Sequence, residues 1–190
     1  MMVAEPTVKT GKKTVADWIA ATEAGGNWEL LDGELIPFGG WKDDIVGANA
    51  KHSNYVMLLI QLLLKIIPNG MLRTAPVGVI LDDENTPEPD LFWMKEGGRC
   101  KEGETYWEGA PDLIVEILSP STARDDRKRK FDLYEKHGVS EYWILDPFAR
   151  LLEVYTLIDG KYQRLGIFDS SESFDSPALG VRVELGGVFA

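Results

Sequence analysis

Apolar residues recur at helical spacing most clearly in residues 50–67. Tyr55, Leu58, Leu59, Leu62 and Leu63 share one helix face there, and Pro68-Asn69-Gly70 ends the run. A shorter helix is predicted over Val15–Glu23, with Thr14 as N-cap and Gly25-Gly26 as its stop. A third, over 123–137, is heavily charged; Phe131, Leu133 and Tyr134 form its packing side and Gly138 follows as a C′ residue. The remaining pattern is strand and turn. Trp28–Leu31 and residues 34–38 flank Asp32-Gly33, a pair suited to a type I′ hairpin. Residues 39–48 read as loop and 71–81 as strand in two pieces around Pro76. Residues 82–88 form an acidic turn, 90–94 a short strand, and 95–109 a polar, glycine-rich loop or flap.

Residues 112–118 are nearly all apolar, as in a central strand covered on both faces. Residues 142–145 form a second buried strand, stopped by Asp146-Pro147. Residues 151–156 and 162–168 pair around Asp159-Gly160, and 181–185 make the last strand. Residues 1–13 are polar and expected to fray. The succession predicts one α/β domain over residues 14–190, a mixed β-sheet flanked by helices.

Composition narrows the function. Apolar residues make up 44% of the 190, enough for a packed core. The formal charge is −11, the wrong sign for a protein that coats nucleic acid non-specifically. An acidic chain can still handle nucleic acid if its carboxylates gather a metal and its cations are local. Cys100 is the single cysteine, so an internal disulfide and a cysteine zinc site are both excluded; it reads as an incidental loop residue. The N-terminus lacks the apolar core of a signal peptide. No apolar run reaches the roughly 18 residues of a membrane span. A cytoplasmic location away from membranes is expected.

Two acids stand in unusual places. Asp90 lies in a short strand behind Pro89, and Glu116 lies among Leu113, Ile114, Val115, Ile117 and Leu118. A carboxylate so surrounded must face a cation, a lysine or a wet cleft, because burying it unpaired is costly. The plain alternative is a strand-end acid touching solvent or an arginine. On the following helix Asp126, Lys130, Tyr134 and His137 fall on one face, with Lys130 near the edge of the packing side. An i,i+4 ion pair between Asp126 and Lys130 is the simplest account of those two. Arg124, Arg127, Lys128 and Arg129 make this stretch the most basic in the chain, either a solvated face or a contact for phosphates.

These residues fall in a recognisable frame: Pro89-Asp90, Pro111-Asp112 running to Glu116 and Ser119-Pro120, Asp126-x-x-x-Lys130-x-x-x-Tyr134, then Gly138-Val139-x-Glu141-Tyr142-Trp143-x-x-Asp146-Pro147. The frame resembles the Uma2 family of restriction-endonuclease-like proteins, grouped with the PD-(D/E)xK nucleases. Trp28 to Leu35 resembles the family's N-terminal hairpin, and His52 the histidine at the start of its long helix. The resemblance covers roughly residues 14–188.

What it implies is a restriction-endonuclease-like fold and a divalent-metal-dependent endonuclease hydrolysing phosphodiesters, with DNA as the expected substrate. Asp90 and Glu116 would hold Mg²⁺ or Mn²⁺. The sequence departs from the pattern where Leu118 occupies the lysine slot; Lys130, arriving from the helix, would take that part. His52, Glu34 and Asp126 are secondary site candidates, and Asp112 a structural acid. Duplex cutting would suit a C2 homodimer, though no interface is legible. The rival reading is an inactive nucleic-acid-binding or regulatory protein on a nuclease scaffold, favoured by Leu118 and the acidic balance. A paired-carboxylate glycosidase has no support beyond acid content.

Overall fold

The computed structural model describes residues 11–37, 47–67, 69–119 and 122–189. Helix α1, Val15–Glu23, starts where Thr14 N–H donates to Asp17 Oδ2 at 3.0 Å. Strands β1, Trp28–Leu31, and β2, Glu34–Pro37, form the first hairpin. Asp32 and Gly33 both have positive φ there, at 51° and 78°, as the type I′ turn requires. Helix α2, Gly47–Ile66, begins three residues earlier than its apolar periodicity indicates. The expected loop at 39–48 otherwise lies outside the described residues, as do residues 1–10 of the N-terminal stretch.

Strand β3, Met71–Thr74, and strand β4, Val79–Ile80, are the two pieces separated by Pro76, whose preceding peptide bond is cis. Strand β5, Leu91–Met94, follows the acidic turn. Residues 95–109 are not an open flap. They form β6, Lys101–Glu102, and β7, Trp107–Glu108, which join β4 in a small three-stranded sheet. Apolar burial explains the difference: Trp107 and Cys100, 4% and 5% exposed, pack with Val79 and Phe92. The Cys100 thiol is pushed up to about 12 by burial, with Asp112 adding to it, so it is inert.

Strand β8, Leu113–Ile117, is buried at every position. A π-wound segment, Asp125–Lys130, then runs directly into helix α3, Phe131–His137, which ends at Gly138 with φ 78°. The chain returns as β9, Glu141–Asp146, parallel to β8. Strands β10, Leu151–Ile158, and β11, Lys161–Phe168, are a long hairpin. A second hairpin joins β12, Ser173–Ser176, to β13, Val181–Glu184. Strand β12 escapes hydropathy reading because Phe174 is its only apolar residue.

The main sheet has the order β11-β10-β9-β8-β5-β3, antiparallel except for β8 and β9. Alternation along β8 sorts the molecule into two cores. Leu113, Val115 and Ile117 pack under α2 and the C-terminal hairpin. Ile114 and Leu118 face α3, the first hairpin and the small sheet. Glu116 belongs to this second face, in the angle between helix and hairpin. No helix among the described residues is long and apolar enough to cross a membrane.

Candidate active site

Strands β5 and β8 pair antiparallel with Leu91 opposite Val115. One more residue of that register sets Asp90 opposite Glu116, side by side on one sheet face. Asp90 is 7% exposed and Glu116 2%. Asp90 Oδ2 accepts the Ile117 N–H at 2.7 Å and lies 3.1 Å from His52 Nε2, presented by α2. Glu116 Oε1 accepts the Tyr134 hydroxyl at 2.7 Å and the Lys130 ammonium at 3.1 Å.

Residues four apart share a face in this π-wound segment as they do in an α-helix. Asp126 and Lys130 both point inward and are buried, and Tyr134 joins them from α3. Lys130 Nζ lies 2.9 Å from Glu29 Oε1 and 3.4 Å from Asp126 Oδ1 as well as beside Glu116. The row does not extend to His137, whose Nε2 lies 3.1 Å from Asp82 Oδ2.

Five of the six predicted site residues therefore converge: Asp90, Glu116, Lys130, His52 and Asp126. Glu34 does not. Its side chain is 65% exposed and pairs with Arg129 at 3.2 Å, because it sits on the outward side of β2. Asp112 accepts the Lys95 N–H at 3.0 Å and so fixes the exit of β5. The basic stretch is partly spoken for: Arg127 pairs with Asp146 and Glu153, and Arg129 with Asp32 and Glu34. Both guanidiniums are ion-paired within the fold, Arg129 largely covered and Arg127 still exposed.

Two buried acids beside the candidate site were missed in the sequence. Glu29 and Glu88 are 6% and 2% exposed, and the Glu88 N–H donates to Glu29 Oε1 at 2.9 Å. The signal for Glu29 was the one that marked Glu116, an acid within an apolar strand; Asp-Gly drew attention to Glu34 instead. Glu88 lies between Pro87 and Pro89 and gives no pattern.

The charges shift one another. Burial raises the Glu116 carboxyl well above its ordinary range, and Lys130 only partly opposes this. Burial likewise raises Asp126 to about 6 against the pull of Lys130. Glu88 rises to about 7, through burial and then the charge of Glu29. Burial alone would lower Lys130; Glu116, Glu29 and Asp126 outweigh it and hold the ammonium well above its usual range. At His52 burial is outweighed in the same way by the hydrogen bond and charge of Asp90.

A family model for Uma2, described as “Putative restriction endonuclease”, matches residues 15–186. The chain belongs to the Uma2 family. A Synechocystis relative described as an uncharacterized protein is 28% identical over 159 residues, covering 82% of this chain and 84% of that one. The fold is shared with a crystal structure from Anabaena variabilis described as “a putative nuclease belonging to DUF820”. The TM-score is 0.65 at 17% identity, covering 93% of this chain and 97% of that one. The restriction-endonuclease-like fold expected from sequence is thus the observed one.

In this Uma2 chain, buried acids outnumber buried cations around the site: Glu29, Glu88, Asp90, Glu116 and Asp126 stand against Lys130, with His52 beside them. Asp126 Oδ1 and Glu88 Oε2 are buried without a hydrogen bond. Such an acid excess suits a cation. Among the described residues no three acid, imidazole or thiol groups form a ligand cluster. Glu141 is the instructive contrast: equally buried, it accepts from Trp143 Nε1 at 2.5 Å, Ser176 Oγ at 2.8 Å and Ala178 N–H at 2.9 Å. It is a satisfied structural acid.

Proposed function

We propose that this chain is a divalent-metal-dependent nuclease that hydrolyses phosphodiester bonds in DNA, with Asp90 and Glu116 as the metal ligands. The observation that carries the reading is the cross-strand Asp90–Glu116 pair with Lys130 beside it in an excess of buried acid. The family and its description support nuclease chemistry in general. Mg²⁺ or Mn²⁺, when bound, supplies charge neutralisation at the phosphate and a more acidic water.

The chain's own residues divide the remaining work. The Ile117 N–H and His52 hold one oxygen of Asp90, and Tyr134 and Lys130 hold one oxygen of Glu116. The carboxylates are therefore oriented before any ligand arrives. Lys130 is a permanent cation at this point and stabilises negative charge developing on the phosphoryl oxygens. Glu29 and Asp126 fix where its ammonium sits.

The test joins binding and cleavage. Calorimetry with Mn²⁺ should show binding that is lost in Asp90→Asn and in Glu116→Gln. Plasmid and oligonucleotide DNA should be cut with Mg²⁺ or Mn²⁺ by the native chain and by neither variant. Cleavage surviving in both variants overturns the assignment. Oligonucleotide binding without metal binding supports the inactive-scaffold reading, for which the locked position of Lys130 is the structural argument.

A further inference from the structure

Half of the lysines and arginines among the described residues are ion-paired to carboxylates. Arg127, Arg129, Lys130, Lys136 and Lys161 are each held by carboxylates. Lys51 and Arg150 are among the rest: neither forms an ion pair with a carboxylate among the described residues, and both are exposed. They line the same groove, of about 500 Å³, with Tyr55, Met57, Pro147 and Phe148. Among the described residues that lining contains no acid. Grooves beside α3, beside the far end of α2 and beside β6 each include at least one, among them Asp125, Glu184 and Glu102.

Phe148 is 69% exposed, and it stands on an ordered turn. Asp146 Oδ1 accepts the N–H groups of both Phe148 and Ala149 at 2.9 Å, which fixes the turn that presents the ring. No packing reason keeps a large apolar ring in water there. Arg150 is anchored at the same turn through a hydrogen bond to the Phe189 carbonyl. Across the groove, Lys51 directly precedes His52, and Tyr55 lies one turn beyond it on the same side of α2. The groove thus begins at the helix that reaches Asp90.

We propose that this groove binds an unpaired strand of the nucleic-acid substrate, one base stacking on Phe148 and the backbone phosphates meeting Lys51 and Arg150. The proposal rests on the nuclease reading and adds a substrate track to it. The chemistry matches both halves of a nucleotide: an exposed aromatic face takes any base, and unpaired cations take the phosphate. The two cations of the lining, with no carboxylate among its described residues, favour a polyanion over a folded protein partner. A duplex keeps its bases stacked inward, away from an isolated ring, so the unpaired strand is the form that uses the whole lining.

The test uses the full chain and a 5′-fluorescein-labelled oligothymidylate of ~12 nucleotides, read by anisotropy in EDTA so that nothing is cut. Phe148→Ala should weaken binding about tenfold and Phe148→Trp should restore it. Lys51→Ala should weaken binding and lower the slope of log K against log salt by about 0.7. Both positions are exposed, and circular dichroism confirms that the variants fold. Cleavage of the same oligonucleotide with Mn²⁺ is measured in parallel. If the native chain cuts and both alanine variants bind as tightly as it does, the groove is not the track while the nuclease reading stands. If the native chain neither binds nor cuts, the nuclease reading fails and the groove proposal falls with it.

Discussion

Lys130 Nζ lies 3.1 Å from Glu116 Oε1, joining the helix of the β8–β9 crossover to the centre of the sheet. Two further carboxylates, from Glu29 and Asp126, share the same ammonium. The pair is thus the centre of a network, and removing its cation leaves several acids buried without compensation. Lys130→Met should destabilise the chain by about 3–5 kcal/mol, the scale of breaking a buried ion pair from one side. Urea denaturation at neutral pH measures this. Lys130→Met combined with Glu116→Leu should regain part of the loss, because two buried charges are then gone. A double variant no more stable than the single one contradicts the network.

Glu141 and Glu116 test whether burial alone marks a functional acid. Glu141→Gln turns an amide toward donors that now converge on a carboxylate, and should cost about 1–3 kcal/mol. It should leave Mn²⁺ affinity unchanged. Glu116→Gln should abolish Mn²⁺ binding. Calorimetry beside thermal melting separates the two effects, and loss of metal binding in Glu141→Gln contradicts its structural role.

Much of this was legible in sequence, for identifiable physical reasons. The hairpin at Asp32-Gly33 and helix α1 carry strong local signals, since turn and cap chemistry act within a few residues. The acids Asp90 and Glu116 were visible because their types clash with an apolar setting. Long-range packing was not legible. Residues 95–109 look like a mobile loop until Trp107 finds Phe92 across the molecule. Glu29 was passed over for Glu34 because which hairpin acid faces inward depends on where Arg129 docks. The π winding over 125–130 has no sequence signature distinct from an α-helix, but the Asp126–Lys130 pair was legible because residues four apart share a face in either winding.

Gly138 ends α3 with φ 78°, where a side chain is strained, and an added Cβ would also lie 3.2 Å from the Arg99 guanidinium. Arg99 donates to the Gly138 carbonyl, so the helix end is tied to the small sheet. Gly138→Ala should lower stability by about 1 kcal/mol without altering metal affinity. Chemical denaturation and calorimetry check the two halves. A loss of metal affinity would show that the helix end communicates with Lys130.

Glu88 gives a pH dependence with a definite sign. Its carboxyl titrates at about 7 in the folded chain against 4.5 when unperturbed, raised by burial and by Glu29. Between those two values the folded state holds a proton that the unfolded state has released, so stability falls as pH rises and levels off above 7. Glu88→Gln stays neutral throughout. In EDTA it should match the native chain near pH 4.5 and exceed it by about 3 kcal/mol at pH 8. Glu29→Gln removes the charge that helps raise Glu88, so the native slope between pH 4.5 and 7 should shrink. Urea titrations at several pH values read both effects. A native-like slope in Glu29→Gln would mean that burial alone sets Glu88, and the Glu29–Glu88 contact would then be a backbone anchor without electrostatic consequence.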